Sequence, residues 1–296
     1  MTKKKFAIVG VGGYIAPKHL EAIKDNNGEI YMAHDLNDSV GILDRFNRKC
    51  KFYLDELEFI YNLQNVDYLV VCTPNYTHKG WIMQGLKSGC NVICEKPLVL
   101  NTKDLDDIVR IEKETGKTCN VILQLRHQVN IKKLVDYYKN TNGIETVDLK
   151  YITTRGQWYK KSWKGNKNLS GGLQTNIGIH FFDALVLIFG SCTEIKIDSY
   201  SEQTIKGSIK LQQADVNFLL SIDYDEIPEL HEGKMSYRKL KIGQTSVDIS
   251  EGFTELHTES YKHILEGNGF TSIDAKASIQ ITEMIRNQYH ITNENS

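Results

Sequence analysis

The residue best placed to do chemistry in this chain is Lys96, in the run Glu95-Lys96-Pro97-Leu98. Residues 91–94 before it read as a buried strand. Because proline fixes its own φ and restricts the preceding residue, we expect Lys96 to be extended rather than helical. The carboxyl ends of strands are where doubly wound sheets bind ligands. A catalytic lysine is therefore expected here, and a solvated loop lysine is the alternative.

The second candidate is His180, in the run Thr175-Asn176-Ile177-Gly178-Ile179-His180. The pattern predicts a long apolar helix over residues 175–189, and residues four apart, such as Asn176 and His180, share one face of a helix. Glycine is unfavourable inside a helix, so Gly178 indicates close approach by another group, such as cofactor or substrate. A neutral imidazole can accept a proton near pH 7. The alternative is a core histidine that has no chemical role.

A glycine-rich turn at residues 10–16 follows the apolar run 6–9 and precedes an amphipathic helix over residues 14–25. Strand, glycine turn and helix together place a pyrophosphate at a helix N-terminus, where free N–H groups favour anions. The spacing departs from G-x-G-x-x-G, since Ile15 stands at the third glycine position. It fits G-x-x-G-x-x-A through Gly10, Gly13 and Ala16. An ordinary tight turn is the alternative.

Asp35 follows the next predicted strand, residues 29–34. This is the separation from the glycine turn at which an acidic residue meets the adenosine ribose hydroxyls. Its charge would repel the 2′-phosphate of NADP, and residues 36–38 contain no arginine to accept that phosphate. The sequence therefore favours NAD. Thr73-Pro74-Asn75, after the strand at 67–72, is predicted to form a turn beside the same cofactor.

The order of predicted elements divides the chain in two. Six strand candidates alternate with helices over residues 1–122, which predicts an α/β Rossmann domain with a doubly wound parallel sheet. Residues 123–296 are predicted to form an α+β domain for substrate binding and oligomerisation, with an open, mostly antiparallel sheet and helices. Its predicted strands are 145–154, 194–201, 204–212, 216–221, 237–242 and 245–250. We expect the final helix, 274–289, to return to the first domain.

A basic and aromatic segment spans residues 154–168, with five cations, three aromatic residues and no acid. This concentration of positive charge and aromatic rings indicates a binding site for an anionic small molecule whose own rings can stack on the protein. A solvated loop and a platform for single-stranded nucleic acid are the alternatives. Arg126, after the sixth strand, would suit a carboxylate through its planar donor fork.

Composition narrows the class of protein. With 296 residues, 25% charged, and a net charge of −1, the chain has no basic field to support nucleic-acid binding. Six cysteines occur without a Cys-x-x-Cys pair, so we expect reduced buried thiols and no metal site. We see no apolar leader and no run of 18 apolar residues, which predicts a cytoplasmic protein without a membrane partner.

These motifs together resemble the Gfo/Idh/MocA oxidoreductases over essentially the whole chain. Within that family they are most similar to UDP-N-acetyl-2-amino-2-deoxy-D-glucuronate dehydrogenases of the WlbA/WbpB type. The matching runs are residues 13–17, 19–20, 38–41, 155–156, 158–159, 162–165 and 175–181. Many members of the wider family carry aspartate where this chain has Asn176, and the asparagine resembles the WlbA branch.

The resemblance implies NAD-dependent oxidation of the C3′ hydroxyl of a UDP-linked N-acetylated uronic acid, on a route to bacterial O-antigen sugars, by a homotetramer. We expect catalysis by Lys96, His180 and Asn176, with either Lys96 or His180 as proton acceptor. The predicted cofactor-binding residues are Gly10, Gly12, Gly13, Tyr14, Ile15, Asp35, Thr73, Pro74, Asn75, His78, Glu95, Lys96 and Gln124. The predicted substrate-binding residues are Lys96, Arg126, Arg155, Tyr159, Trp163, Lys164, Asn176 and His180. Another sugar or inositol dehydrogenase of the same fold and a catalytically silent NAD-binding protein are the alternatives.

Overall fold

The chain forms two compact units, residues 1–123 with 254–276 and residues 124–253 with 277–296. The structure is a computed structural model that describes residues 3–38, 40–231, 235–247 and 255–294. Ser39 and residues 248–250, which belong to runs discussed above, lie outside the described residues. The chain returns to the first unit through residues 254–276, whereas the final helix, which we expected to make that return, belongs from residue 277 onward to the second.

The elements follow the predicted order closely. The strands are β1 (Lys5–Val9), β2 (Glu29–His34), β3 (Lys51–Tyr53), β4 (Tyr68–Val71), β5 (Asn91–Cys94), β6 (Cys119–Val121), β7 (Glu145–Thr153), β8 (Cys192–Tyr200), β9 (Thr204–Leu211), β10 (Ala214–Ser221), β11 (Ser236–Ile242) and β12 (Thr245–Val247). The helices are α1 (Ala16–Asp25), α2 (Glu56–Asn62), α3 (His78–Lys87), α4 (Thr102–Thr115), α5 (Val129–Tyr138), α6 (Gln157–Lys161), α7 (Lys167–Ser170), α8 (Ile179–Phe189), α9 (Leu256–Leu265) and α10 (Lys276–Glu294).

The first unit is built on a parallel sheet in the order β3-β2-β1-β4-β5-β6. Its central strands are apolar and buried along their length, as expected for strands covered on both faces. The strand order reverses between β1 and β4, and ligands of doubly wound sheets bind at such a reversal. The predicted Rossmann architecture, with six strands in a parallel sheet, is confirmed.

Local signals set the helix ends in this unit. Asn101 precedes α4, and its side-chain oxygen accepts the N–H of Asp104 at 2.8 Å. Gly116 ends the helix with a left-handed φ of +66°, a conformation that glycine adopts at little cost. Both ends of α4 are therefore fixed by residues that lie next to them in the chain.

The second unit contains a mixed sheet in the order β12-β11-β7-β10-β9-β8. β7 and β10 are parallel, and the other pairs are antiparallel. Alternate residues of β9 and β10 are buried, so one face of the sheet packs on a core that includes Phe182 and Phe189 of α8. The predicted open, mostly antiparallel sheet is confirmed.

The apolar helix of this unit begins irregularly. Residues Gln174–Gly178 form a turn of π-helix that continues directly into α8. A Cβ atom on Gly178 would lie 2.6 Å from Leu220 Cδ1 and 2.8 Å from Phe182 Cε2. The close approach predicted at this glycine is therefore confirmed, and core side chains are the groups that make it.

Judged by length and apolar composition alone, the stretch from residue 167 to residue 189 could cross a membrane. However, 78% of its most apolar window is buried inside the protein. That burial is what the core helix of a folded domain shows, because its apolar side chains pack on the sheet.

Candidate functional site

The glycine turn packs tightly onto the carboxyl end of the parallel sheet. Gly10 has a φ of +79°, and a Cβ atom there would lie 2.8 Å from the carbonyl carbon of Cys72. Its N–H donates to the carbonyl of His34 at 2.9 Å, which ties the turn to the end of β2. The turn therefore runs between the ends of β2 and β4, where only glycine allows this approach.

Asp35 lies directly against this turn. Its Oδ2 accepts the N–H of Gly12 at 2.8 Å, and its Oδ1 accepts the N–H of Asn37 at 3.1 Å. A Cβ atom on Gly12 would approach the carboxylate to 3.1 Å. The structure thus brings together the glycine turn and the acidic residue predicted to hold a ribose. Ile15 and Gly13 continue the turn towards α1, and Tyr14 is 94% exposed beside them.

The loops after β4 and β5 are joined by His78. Its ring is buried, with Nδ1 2.7 Å from the carbonyl oxygen of Pro97 and Nε2 2.9 Å from that of Thr73. Burial lowers the pKa of His78, although these carbonyl groups raise it in part. A neutral ring has one N–H and donates to one of the two oxygens. The His78 ring faces into the protein, so its role is to hold the two loops rather than to present the ring to cofactor.

Glu95, which we expected at the cofactor, is also turned inward. Its Oε1 lies 3.0 Å from His19 Nε2 and 2.8 Å from His257 Nε2. Burial alone would raise the pKa of Glu95, but the hydrogen bonds from these two histidines hold it well below its usual range. Oε2 accepts the backbone N–H of Lys96 at 3.1 Å. Protein donors therefore occupy the carboxylate, while Lys96 stands half-buried at the end of β5, as predicted.

Asn176 connects the basic segment to the helix that carries His180. Its Nδ2 donates to the hydroxyl of Tyr159 at 3.2 Å and to the carbonyl of Lys164 at 3.4 Å. Burial raises the pKa of the Tyr159 hydroxyl, and the bond from Asn176 opposes this in part. Both Asn176 and His180 are half-buried, and Asn176 lies in the π-helical turn. The structure brings Asn176, Tyr159 and Lys164 together within the second unit.

A cavity of about 170 Å³ lies beside this group. Its lining includes the ammonium-bearing residues Lys160, Lys164 and Lys167, together with Tyr159 and Tyr200. The ammonium of Lys164 stands 5.3 Å from the ring centroid of Trp158 and 5.6 Å from that of Trp163. Burial, and then the charge of Arg155, lower the pKa of Lys164. Arg155 itself is exposed and donates to the carbonyl of Thr154 at 3.5 Å.

Arg126, predicted to bind a substrate carboxylate, already has a carboxylate partner. Its Nε and Nη2 donate to the two oxygens of Asp183 at 2.9 and 2.8 Å. The two side chains are only 10% and 4% exposed. This bidentate geometry is the one that guanidinium prefers, so the structure gives Arg126 a packing role within the second unit. Gln124 opens the same short helical turn, Gln124–His127.

The residues around Glu95 were not predicted from the sequence. His19 lies on the buried face of α1, with its Nδ1 2.8 Å from the hydroxyl of Tyr261, and His257 and Tyr261 both lie on α9. One signal was available: His19 falls at helical spacing among Ala16, Leu20 and Ile23. A buried histidine on an apolar face needs a polar partner. The identity of that partner was not available, because it comes from distant parts of the chain.

Two family models match the chain in the same order as the two halves. Residues 4–123 match an oxidoreductase family with an NAD-binding Rossmann fold, and residues 143–226 match the C-terminal α/β domain of that family. The chain belongs to the Gfo/Idh/MocA oxidoreductase family. The glycine turn, with no room for a Cβ at Gly10 and with Asp35 beside it, fits a dinucleotide. NAD is the cofactor of this family member.

Solved structures extend the similarity over nearly the whole chain. The WlbA (WbpB) dehydrogenase from Thermus thermophilus, in complex with NAD and UDP-GlcNAcA, is 36% identical, with a TM-score of 0.92 over 96% of this chain and 94% of that one. The Thermus WlbA (WbpB) dehydrogenase in complex with NAD and α-ketoglutarate is 37% identical, with a TM-score of 0.93 over the same shares.

Curated relatives show a wider range of chemistry. The 2,7-anhydro-N-acetylneuraminate hydratase of Mediterraneibacter gnavus is 30% identical over 196 residues, which is 64% of this chain and 50% of that protein. The chain spans about half the length of the curated relatives that it matches first. Membership of the family therefore does not by itself fix the reaction.

Replacing Asp35 with serine should weaken NAD binding about 10–100-fold, as expected for losing a hydrogen bond to a charged group. The same change should narrow the preference for NAD over NADP, because the charge that repels the 2′-phosphate is removed. Dissociation constants for both dinucleotides, measured by calorimetry, test this expectation.

Asp38→Ser supplies the matched control, since Asp38 is an exposed aspartate three positions further along the same loop. It should leave both constants near the wild-type values. If wild type and Asp35→Ser bound NAD with equal affinity, Asp35 would not be a cofactor-binding residue.

Proposed function

We propose that this protein is an NAD-dependent dehydrogenase that oxidises the C3′ hydroxyl of UDP-N-acetylglucosaminuronate to a ketone. One observation carries the proposal: 36% identity over 96% of the chain to an enzyme whose structure holds NAD and UDP-GlcNAcA. The proposal includes a cytoplasmic homotetramer acting in the synthesis of O-antigen sugars.

The charge of the second unit supports an anionic substrate. A UDP-linked uronate carries a diphosphate and a carboxylate, and Lys160, Lys164 and Lys167 line one cavity there, opposed by the single acid Glu202. Tyr159 and Tyr200 supply aromatic surface at the same place. Cations and rings together suit a nucleotide-linked acid better than an uncharged polyol.

Lys96 and His180 are the residues we propose to act on the reacting hydroxyl. As the hydroxyl becomes a ketone its proton must leave, and a neutral imidazole is a competent acceptor near pH 7. The ammonium of Lys96 stabilises negative charge that develops on the oxygen. The reverse assignment, with a neutral Lys96 as base, is the alternative, because buried lysines shift their pKa readily. Asn176 orients the hydroxyl without adding charge.

The cofactor would be held by the glycine turn and by Asp35, at the end of β2, together with the loop at Thr73-Pro74-Asn75. When bound, NAD accepts the hydride that leaves the sugar carbon. The chain's own part is to fix Lys96 at the end of β5, where Glu95 Oε2 holds its backbone N–H at 3.1 Å. A group fixed in this way does not need to be reorganised during the reaction.

The test is to incubate the protein and NAD with a panel of UDP-N-acetylglucosaminuronate, UDP-N-acetylglucosamine, UDP-glucuronate, myo-inositol and free hexoses. Reduced nicotinamide is followed by absorbance, and the sugar product by mass spectrometry as a loss of two hydrogen atoms. Each reaction is run with and without α-ketoglutarate, because the Thermus enzyme has been seen with that 2-oxo acid. We expect turnover of the N-acetylated uronate above all other members of the panel.

Other results would select a different function. Turnover of inositol or hexoses without sugar nucleotides would favour another dehydrogenase of the same fold. Binding of NAD with no turnover across the panel would favour a catalytically silent protein. Steeply salt-dependent binding of oligonucleotides would favour a nucleic-acid module.

A further inference from the structure

The first unit contains a buried polar cluster that the proposed chemistry does not use directly. It consists of His19 on α1, Glu95 after β5, and His257 and Tyr261 on α9. The two histidine rings meet edge to face, with centroids 5.0 Å apart. All four side chains are buried, so their polar atoms need hydrogen-bond partners, and the four residues supply these to one another.

The proton positions in this cluster follow from its geometry. Both imidazole Nε2 atoms contact the same oxygen, Glu95 Oε1, at 3.0 and 2.8 Å. An ionised carboxylate only accepts, so both Nε2 atoms must donate. Burial lowers the pKa of His19, and a neutral His19 that donates through Nε2 must accept at Nδ1. The Tyr261 hydroxyl, 2.8 Å away, is the donor.

The second carboxylate oxygen of Glu95 contacts the backbone of the proposed catalytic residue, Lys96. Glu95 Oε2 accepts the backbone N–H of Lys96 at 3.1 Å. From the other side, the ring of His78 contacts the carbonyl of Pro97 at 2.7 Å. The backbone that carries the Lys96 side chain is therefore held on both sides, and the orientation of Glu95 depends on His19 and His257.

We propose that His19 and His257 are positioning residues that act through Glu95 to fix the backbone of Lys96 for catalysis. This proposal rests on the proposed function, because Lys96 must be catalytic for its position to matter to turnover. Tyr261 belongs to the same chain of hydrogen bonds, but it contacts His19 rather than Glu95. A small displacement of a catalytic group lowers its rate by up to about 100-fold.

A metal site is the competing use of the same residues, since their ligand atoms all lie within 4.8 Å of one another. Two features favour the hydrogen-bond network. Each Nε2 lies at hydrogen-bond distance from a carboxylate oxygen, and a metal would require both nitrogen atoms to be unprotonated. The carboxylate also accepts the N–H of Lys96, which directs one of its oxygens away from the histidines.

The experiment compares Glu95→Gln, His257→Gln and Tyr261→Phe with His263→Gln in the full-length protein. His263 lies on the same helix as His257 but pairs with Glu259 near the surface, so it receives the same substitution outside the cluster. Glu95→Gln keeps the shape and replaces one acceptor by a donor. For the uronate we expect Glu95→Gln and His257→Gln to lower kcat about 10–100-fold, with KM and the Kd for NAD within about twofold of His263→Gln.

A second readout does not depend on turnover. The amide of Lys96 should be protected from hydrogen exchange in the wild type and should exchange faster in Glu95→Gln and His257→Gln, because its acceptor is lost or reoriented. Tyr261→Phe retains the ring and should give a smaller change of the same sign. If Glu95→Gln fails to fold, as its circular dichroism and melting temperature would show, His257→Gln and Tyr261→Phe still decide the proposal.

The proposal would be overturned if the folded cluster variants matched His263→Gln both in hydrogen exchange at the Lys96 amide and in kcat. Stoichiometric metal in the purified protein, lost in His257→Gln, would also overturn it and assign the cluster to a metal site. If the wild type oxidised no sugar nucleotide, the proposed function would fail, whereas the exchange of the Lys96 amide would still report whether the cluster holds that residue.

Discussion

Replacing Lys96 with methionine should reduce kcat for the sugar nucleotide by about 10²–10⁴-fold, with little change in melting temperature. Methionine keeps the length of the side chain and removes its charge and its donors. The oxygen that loses its proton then has no ammonium beside it, and that loss acts on the transition state more than on the bound substrate. Steady-state kinetics and calorimetry with NAD measure the two effects separately.

Lys87→Met is the matched control for this prediction, because Lys87 is an exposed lysine at the end of α3. It should retain wild-type kinetics. Lys96→Arg keeps the positive charge in a planar group of different shape, so we expect only partial recovery. If Lys96→Met turned over within about threefold of Lys87→Met, Lys96 would have no catalytic role.

The sequence predicted those features that local patterns encode. Apolar runs located the central strands of the parallel sheet, and Glu95-Lys96-Pro97 fell at the end of β5 because a proline cannot continue a strand ladder. Asp35 was placed against the glycine turn because the length of a βαβ unit fixes their separation. These inferences needed only neighbours in the chain.

Features that depend on distant partners escaped prediction. Arg126 was assigned to substrate because an isolated arginine gives no sign of a carboxylate 57 positions away, at Asp183. Glu95 was assigned to cofactor for the same reason, since its partner His257 lies 162 positions further along the chain. In both cases a buried charge needs a partner, and the sequence does not say whether protein or ligand supplies it.

The irregular start of the helix that carries His180 was not predicted either, for a different reason. Its apolar pattern was read with a uniform helical period, but the chain widens into a π-helical turn at Gln174–Gly178. Such turns are rare and depend on tertiary packing, so pattern alone does not locate them. The wider turn places Asn176 against Tyr159 and Lys164.

Substituting His180 with alanine should lower kcat by about 10²–10⁴-fold if its imidazole accepts the hydroxyl proton. An imidazole base works only when unprotonated, so wild-type kcat should rise with pH until the ring is neutral, and the variant should lose that rise. Added imidazole should restore part of the rate in His180→Ala and none in Lys96→Met. Initial rates across a pH series, with and without imidazole, provide the measurement.

The two variants together decide between the two proton acceptors. If His180 is the base, Lys96→Met retains the rise with pH at a lower overall rate, because the lysine contributes charge and not a proton acceptor. If the rise survives in His180→Ala and disappears in Lys96→Met, the lysine is the base and the histidine orients the substrate. A kcat in both variants close to that of wild type would place the chemistry on other residues of the chain.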